Sequence, residues 1–236
     1  MYILEGNIGA GKSTFLELLN KNIPEIKTYQ EPKDNWTKQV YGQSLLANFY
    51  KEPKRWAYTM ETLTMMSRAK LYMKDQLIPD QRFVLERSVY SGHYCFALNG
   101  YQHGFFTQIE WDIYTKWVDF LINQNCKPPH GFIYLKANPD VCFKRIQKRN
   151  RISEKDVSLS YIKQIDEHHD NFLIKRDGVF ESLKNVPVLI LDCNEDFVEN
   201  EQILNTHLYK VKNFIEQTIG LIQEPKTTSL MKETQI

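Results

Sequence analysis

No CxxC pair occurs in this chain, and its four cysteines (Cys95, Cys126, Cys142 and Cys193) stand at least 16 residues apart. That spacing excludes a zinc ribbon and a disulfide-stapled scaffold, and it suits a reducing compartment. No apolar run reaches the roughly 18 residues of a membrane span, so no membrane partner is expected. Net charge is nearly absent too. Thirty Lys and Arg oppose twenty-nine Asp and Glu and leave +1, so no overall field draws the chain to nucleic acid or an anionic membrane. No internal repeat, linker or low-complexity tract breaks the sequence.

What is present has globular proportions: 236 residues, 42% hydrophobic and 25% charged. A chain of this length buries roughly 70% of its unfolded surface and needs no covalent staple. Short apolar runs alternate with longer helical periods, the βα rhythm of a parallel sheet with helices on both faces. Strands are predicted at Met1–Glu5, Ile26–Tyr29, Phe83–Leu85, Phe132–Leu135 and Val186–Leu191. Helices are predicted from Lys12, over Trp36 to about Ile78 with a break near Glu52-Pro53 and a stop at Pro79, and through Tyr94–Ala97. Further helices are predicted over Gln108–Asn123, Pro139–Arg149, Ser158–Arg176 and Phe197 to about Ile219. One domain is expected over residues 1–220, with a flexible tail over 221–236. A motif beginning at Gly6 leaves no room for a signal or transit peptide, and a cytoplasmic location is expected.

That motif, Gly6-Asn7-Ile8-Gly9-Ala10-Gly11-Lys12-Ser13, matches GxxxxGK[ST] between a strand and a helix. Glycines let the backbone curl so that its N–H groups face a phosphate, and the helix N-terminus adds positive potential. Lys12 is placed to reach the β- and γ-phosphates, and the Ser13 hydroxyl to ligate Mg²⁺. With Thr14 behind it, the loop reads as a nucleoside triphosphate site. A guanine-reading Asn-Lys-x-Asp motif is missing, so other residues must identify the acceptor.

Glu31 falls at the C-terminal end of the second strand, the edge where open α/β sheets bind ligands. A carboxylate there can take the proton of an attacking hydroxyl, although on its own Glu31 reads better as a solvated loop residue. Glu86-Arg87-Ser88 ends the third strand at the same edge. Its carboxylate suits Mg²⁺ and its guanidinium suits a nucleophile or developing charge. An ordinary surface pair is the plainer alternative. Arg145, Arg149 and Arg151, with Lys144 and Lys148, close one helix. They read either as a solvated helix end or as a lid, at about 144–157, that folds over phosphates.

Taken together, these motifs resemble the deoxynucleoside kinase family, which holds deoxycytidine, deoxyguanosine and insect multisubstrate kinases. The likeness runs from Tyr2 to about Gln217. It rests on the GNIGAGKS loop, Glu31-Pro32 with Trp36, Tyr50-Lys51-Glu52-Pro53 with Trp56, and Glu86-Arg87-Ser88-Val89-Tyr90-Ser91. The series Arg145-x3-Arg149-x-Arg151-x2-Glu154 and Asp192-x-Asn194-Glu195-Asp196-Phe197 complete it. The resemblance implies a P-loop NTPase-type three-layer α/β sandwich, a five-stranded parallel sheet in order 2-3-1-4-5, and a helix-bundle homodimer. It implies transfer of the ATP γ-phosphoryl group, with Mg²⁺, to a deoxynucleoside 5′-hydroxyl in nucleotide salvage. Glu31 would be the general base, Arg87 would orient the hydroxyl and the base, and Glu86 would serve Mg²⁺ beside Ser13. Arg145, Arg149 and Arg151 would form the lid, and Tyr50 and Glu154 would hold the sugar 3′-hydroxyl. Trp36 and Phe96 would line the nucleobase cleft, with Glu195-Asp196-Phe197 beside the adenine of the donor. A thymidylate-type monophosphate kinase and a non-catalytic subunit of kinase-like fold are the rival classes.

Two positions depart from the family pattern. Glu61 replaces a Gln that pairs with the base, and Gly92 stands where relatives with an Arg at position 68 carry an Asp. Glu61 and Arg68, two turns apart on one helix face, are expected to form a cleft ion pair that reads the base, whose identity stays open. A protonated Glu61 would imitate Gln. His168 and His169 read as part of a solvated helix rather than a metal site. Cys95 and Cys142 read as core residues.

Overall fold

Strand β1 (Tyr2–Gly6) is buried along its whole length, as a central strand covered on both faces must be. Its neighbours explain why. In a computed structural model describing residues 1–38, 44–77 and 82–223, five parallel strands lie in the order β2-β3-β1-β4-β5. These are β1, β2 (Lys27–Tyr29), β3 (Phe83–Glu86), β4 (Gly131–Lys136) and β5 (Val188–Asp192).

Successive side chains of a strand point to opposite faces, and each face has its own core. Ile3, Leu85, Phe132 and Tyr134 pack under one helical layer. It comprises α4 (Pro53–Asp75), α5 (Val89–Ser91) running through a π-helical stretch (Gly92–Ala97) into α6 (Leu98–Gln102), and α7 (Gln108–Val118). Tyr2, Leu4, Val84, Ile133 and Leu135 face the other layer, α1 (Lys12–Asn22), α8 (Pro139–Arg149) and α10 (Glu201–Gln223). The three-layer sandwich expected from the sequence is therefore the fold.

The predicted helix from Trp36 to Ile78 is three elements among the described residues: α2 (Asp34–Thr37), α3 (Leu45–Lys51) and α4. Pro53 at the first turn of α4 sets the break after Glu52. The predicted stop at Pro79 and most of the predicted tail, 224–236, lie outside the described residues. Helix α9 (Leu159–Asp170) continues as a π-helical stretch (Asn171–Lys175), close to the predicted span. The closing helix starts at Glu201 rather than Phe197. Asp196 accepts a hydrogen bond from the Val198 N–H (2.9 Å) and Asn200 accepts one from Ile203 (3.2 Å), so a turn and a side-chain cap occupy the intervening residues.

Candidate active site

The carboxyl ends of β1, β2 and β3 deliver Gly6, Glu31 and Glu86-Arg87 to one edge of the sheet, above a cleft of about 330 Å³. The loop from β1 into α1 forms its floor. Gly9 has φ +85°, and a Cβ there would stand 2.4 Å from the Cys142 carbonyl oxygen. Only glycine lets the loop pass so close to α8. Gly11, at φ +97°, opens α1. Lys12 donates from Nζ to the Gly6 (3.0 Å) and Asn7 (2.8 Å) carbonyls. Burial, reinforced by the Arg87 charge, pushes its ammonium down to about 7. A phosphate is the partner that would restore its charge.

Beside the loop, Ser13 Oγ lies 3.0 and 3.1 Å from the two Glu86 oxygens. Lys33, unassigned by the sequence motifs, closes this group, its Nζ 2.6 Å from Ser13 Oγ and 3.2 Å from Glu86 Oε1. A hydroxyl and a carboxylate converging on a cation form a hard-oxygen donor set of the kind Mg²⁺ prefers.

Across the cleft, Glu31 has a side chain only 7% exposed. Arg68 donates to its Oε1 from Nε (2.9 Å) and Nη2 (2.5 Å), and Arg87 Nε stands 3.8 Å from Oε2. Burial pushes the carboxyl up, but the two guanidiniums outweigh it and hold Glu31 below the usual carboxylate range. Arg87 adopts φ +63°, a conformation that costs a non-glycine residue energy and is often kept for function. Its guanidinium lies 4.7 Å from the centre of the Phe96 ring, and Nη1 is buried without a partner. The π-helical stretch presents Phe96 beneath both arginines. Trp36 closes the other side of Arg68 at 5.9 Å.

The expected Glu61–Arg68 ion pair does not form; Arg68 pairs with Glu31 instead. With Gly92 in place of an Asp, Arg68 has no carboxylate on that side, and its Nη1 fills the space a Gly92 Cβ would need. Glu61 is left with weak contacts from Thr64, at 3.1 Å to its carbonyl and 3.4 Å to its carboxylate. Burial, only partly opposed by Arg68, pushes Glu61 up to about 7.

Glu154 meets Arg149 (2.7 Å) and Arg151 (3.7 Å), on the wall that also carries Tyr50. Burial and the Glu154 charge raise Tyr50, which stays a neutral hydroxyl. Phe49, Tyr50 and Tyr161 form an aromatic cluster with ring centres 5.3–6.2 Å apart.

Of the residues singled out in the sequence, Ile8, Gly9, Gly11, Lys12, Ser13, Thr14, Glu31, Trp36, Tyr50, Glu61, Arg68, Glu86, Arg87, Phe96, Arg149, Arg151 and Glu154 line the cleft. Others do not. Asn7 ties the loop to α9 through the Ile162 carbonyl, and Gly6 and Ala10 lie beneath it. Arg145 donates to the Cys193 and Glu195 carbonyls (2.9 and 3.1 Å), so it staples the loop after β5 rather than facing the lid. Phe197 is buried against Gly11 and Phe15, while Glu195 and Asp196 are exposed.

The sequence reading missed Lys33, Phe49 and Tyr161 in the lining. It also missed Glu5, a fully buried carboxylate bonded to Ser88 (2.6 Å). A charged residue inside the otherwise apolar run YILE was the available signal for Glu5. The solvated reading of His168 and His169 is overturned: both are buried. His169 Nδ1 donates to the Ile165 carbonyl and its ring stacks on Tyr134, because α9 turns this face to the sheet. Among the described residues no cluster of three metal-binding side chains occurs. Cys95 and Cys142 are buried, as expected.

The deoxynucleoside kinase family matches residues 2–216. The chain is 36% identical to a mitochondrial deoxyguanosine kinase of Xenopus laevis, over 90% of this chain and 88% of the relative. It is 37% identical to deoxycytidine kinase 2 of Gallus gallus and 34% to the deoxycytidine kinase of Homo sapiens, each over 90% of this chain and 89% of the relative.

Proposed function

The chain belongs to the deoxynucleoside kinase family, and from that premise we propose that Glu31 is the base that takes the proton from the substrate 5′-hydroxyl. The enzyme is an ATP-dependent deoxynucleoside kinase of nucleotide salvage. Catalysis of this reaction is mostly positioning and charge stabilisation. Lys12 and the loop N–H groups hold the triphosphate, and Arg149 and Arg151 exchange Glu154 for phosphate oxygens as the lid engages. Arg87, whose Nη1 has no partner, orients the 5′-hydroxyl against Glu31. Ser13 and Glu86 would hold Mg²⁺, directly or through water, and the ion would supply charge neutralisation for the transferred phosphoryl group. Tyr50 and Glu154 bind the sugar, and Trp36 and Phe96 flank the base.

The observation that carries this reading is the placement of Glu31. It is a nearly buried, ionised carboxylate clamped by two arginines in the same cleft as the phosphate-binding lysine. Phosphorylation of the four natural deoxynucleosides with ATP and Mg²⁺ tests it. Activity should fall about 10²-fold or more in Glu31→Gln, the usual contribution of a general base. Undiminished activity would reject the role, and turnover of monophosphates alone would support the thymidylate-kinase reading.

Glu61 reads the base alone, its raised carboxyl acting as an amide-like donor and acceptor. Glu61→Gln, which keeps a donor and an acceptor, should therefore preserve the ranking of the four bases, whereas Glu61→Ala should change the ranking while leaving turnover of the best base largely intact. Lost turnover with an unchanged ranking in Glu61→Ala would refute this. The exposed apolar side chains Met66, Ile113, Trp117 and Phe120 on α4, α7 and the π-helical stretch that continues α7 (Asp119–Asn123) support a homodimer. Four buried free cysteines support a reducing, cytoplasmic location, testable by fractionation. Among the described residues no helix is long and apolar enough to cross a membrane.

A further inference from the structure

Lys33 lies two residues beyond the proposed base, and its N–H is bonded to the Glu31 carbonyl (2.7 Å). Pro32 between them fixes one backbone angle, so the lysine starts from a defined place. Its side chain reaches across to the group formed by Ser13 and Glu86, at 2.6 and 3.2 Å. The other nearby cations are engaged elsewhere: Lys12 on loop carbonyls and Arg87 beside Glu31. The Glu86 side chain is 3% exposed and the Lys33 side chain 26%. A buried carboxylate needs a counter-charge. Here the carboxylate is fixed and the cation alone has a path to water.

We propose that Lys33 is a tethered counter-cation of the metal seat, holding Ser13 and Glu86 together until a divalent ion takes its place. This rests on the reading that Ser13 and Glu86 hold Mg²⁺. A divalent ion on these two side chains would lie within a few ångströms of the ammonium, where like charges repel strongly. The two cations therefore exclude each other, and metal binding includes the cost of displacing Lys33. In the absence of metal the same ammonium lies beside the Ser13 hydroxyl, where it partly substitutes for Mg²⁺ toward the triphosphate. The wild-type protein should thus discriminate only modestly between ATP with and without metal.

Calorimetric titration of the full chain with ATP, once with excess Mg²⁺ and once with EDTA, tests the proposal. The readout is the ratio of the two dissociation constants. In Lys33→Met, and likewise in Lys33→Gln, Mg²⁺–ATP should bind tighter and metal-free ATP weaker, widening the ratio on the order of tenfold. A lysine that merely grips phosphate would weaken both in parallel, and a bystander would move neither. Either result overturns the proposal. Glu86→Gln separates this proposal from its premise. If it collapses the ratio toward one while Lys33→Met leaves it unchanged, the counter-cation falls and the metal seat stands. If Glu86→Gln leaves the ratio at its wild-type value, the metal is held elsewhere and both fall.

Discussion

Glu31 and Glu61 are buried carboxylates in one cleft, yet their carboxyls shift in opposite directions, because two arginines sit against Glu31 whereas Arg68 opposes the burial of Glu61 only in part. Glu31 is held ionised by Arg68 and Arg87 against the cost of burial. Replacing Arg68 with Met leaves burial less opposed, so the Glu31 carboxyl rises. The acid limb of the kcat/KM profile, which reports the free enzyme, should then move to higher pH by about one unit or more. An unmoved limb would show that Arg68 does not tune the base. Glu61 is raised to about 7 by burial. Between the ordinary carboxylate value and about 7 the folded protein keeps a proton that the unfolded chain releases, so Glu61 lowers stability as pH rises through that window. Glu61→Gln should therefore unfold at a higher temperature than wild type at about pH 8.5, with the gap closing toward about pH 4.5. At about 1.4 kcal/mol per pH unit, the effect amounts to a few kcal/mol at most. A gap independent of pH would contradict the shift.

Among the elements, the phosphate loop tolerates the least change. A Cβ on Gly9 would fall 2.4 Å from a backbone oxygen of α8, and neither partner is a side chain that can rotate away. Gly9→Ala must shift α8 or distort the loop, so ATP affinity should fall at least about tenfold. Thermal stability should also drop, at a cost of about 1–3 kcal/mol. Calorimetry and thermal unfolding check the two effects separately. The lid behaves differently. Arg149 and Arg151 share the single carboxylate of Glu154, so their charge is only partly offset, and in the proposed lid role they would trade that acceptor for phosphate. The π-helical stretch 92–97 illustrates what periodicity misses. Its helix was legible from Tyr94, Phe96 and Ala97, but the widened turn that brings Phe96 under two guanidiniums depends on packing against α4 and α9.

At the scale of the whole molecule, the apolar face of α4 and α7 lacks a partner among the described residues. Met66 and Trp117 border one groove with Met73 and Leu121, and hydrophobic patches of this kind mark interfaces. Sedimentation velocity should show a dimer for the wild type and a monomer for the double variant Met66→Glu, Trp117→Glu. A wild-type monomer would remove the proposal.

Local signals were enough for the strand-loop-helix of the phosphate site, the parallel sheet and the ends of α8. Glycine spacing, apolar runs, and a Pro opening α8 are short-range features of the chain. The site was legible wherever a motif carries its chemistry in neighbouring residues, as in Gly6–Ser13 and Glu86-Arg87. Contacts between distant residues were not legible. Arg68 could have faced either Glu31 or Glu61; the missing side chain at Gly92 and the position of β2 decided for Glu31. Lys33 belongs to no motif, and only the fold brings Ser13 and Glu86, 20 and 53 residues away in sequence, within hydrogen-bond reach of it. His168 and His169 looked solvated until the sheet covered them. Burial and charge pairing are sums over everything that surrounds a group, and only the tertiary structure supplies those surroundings.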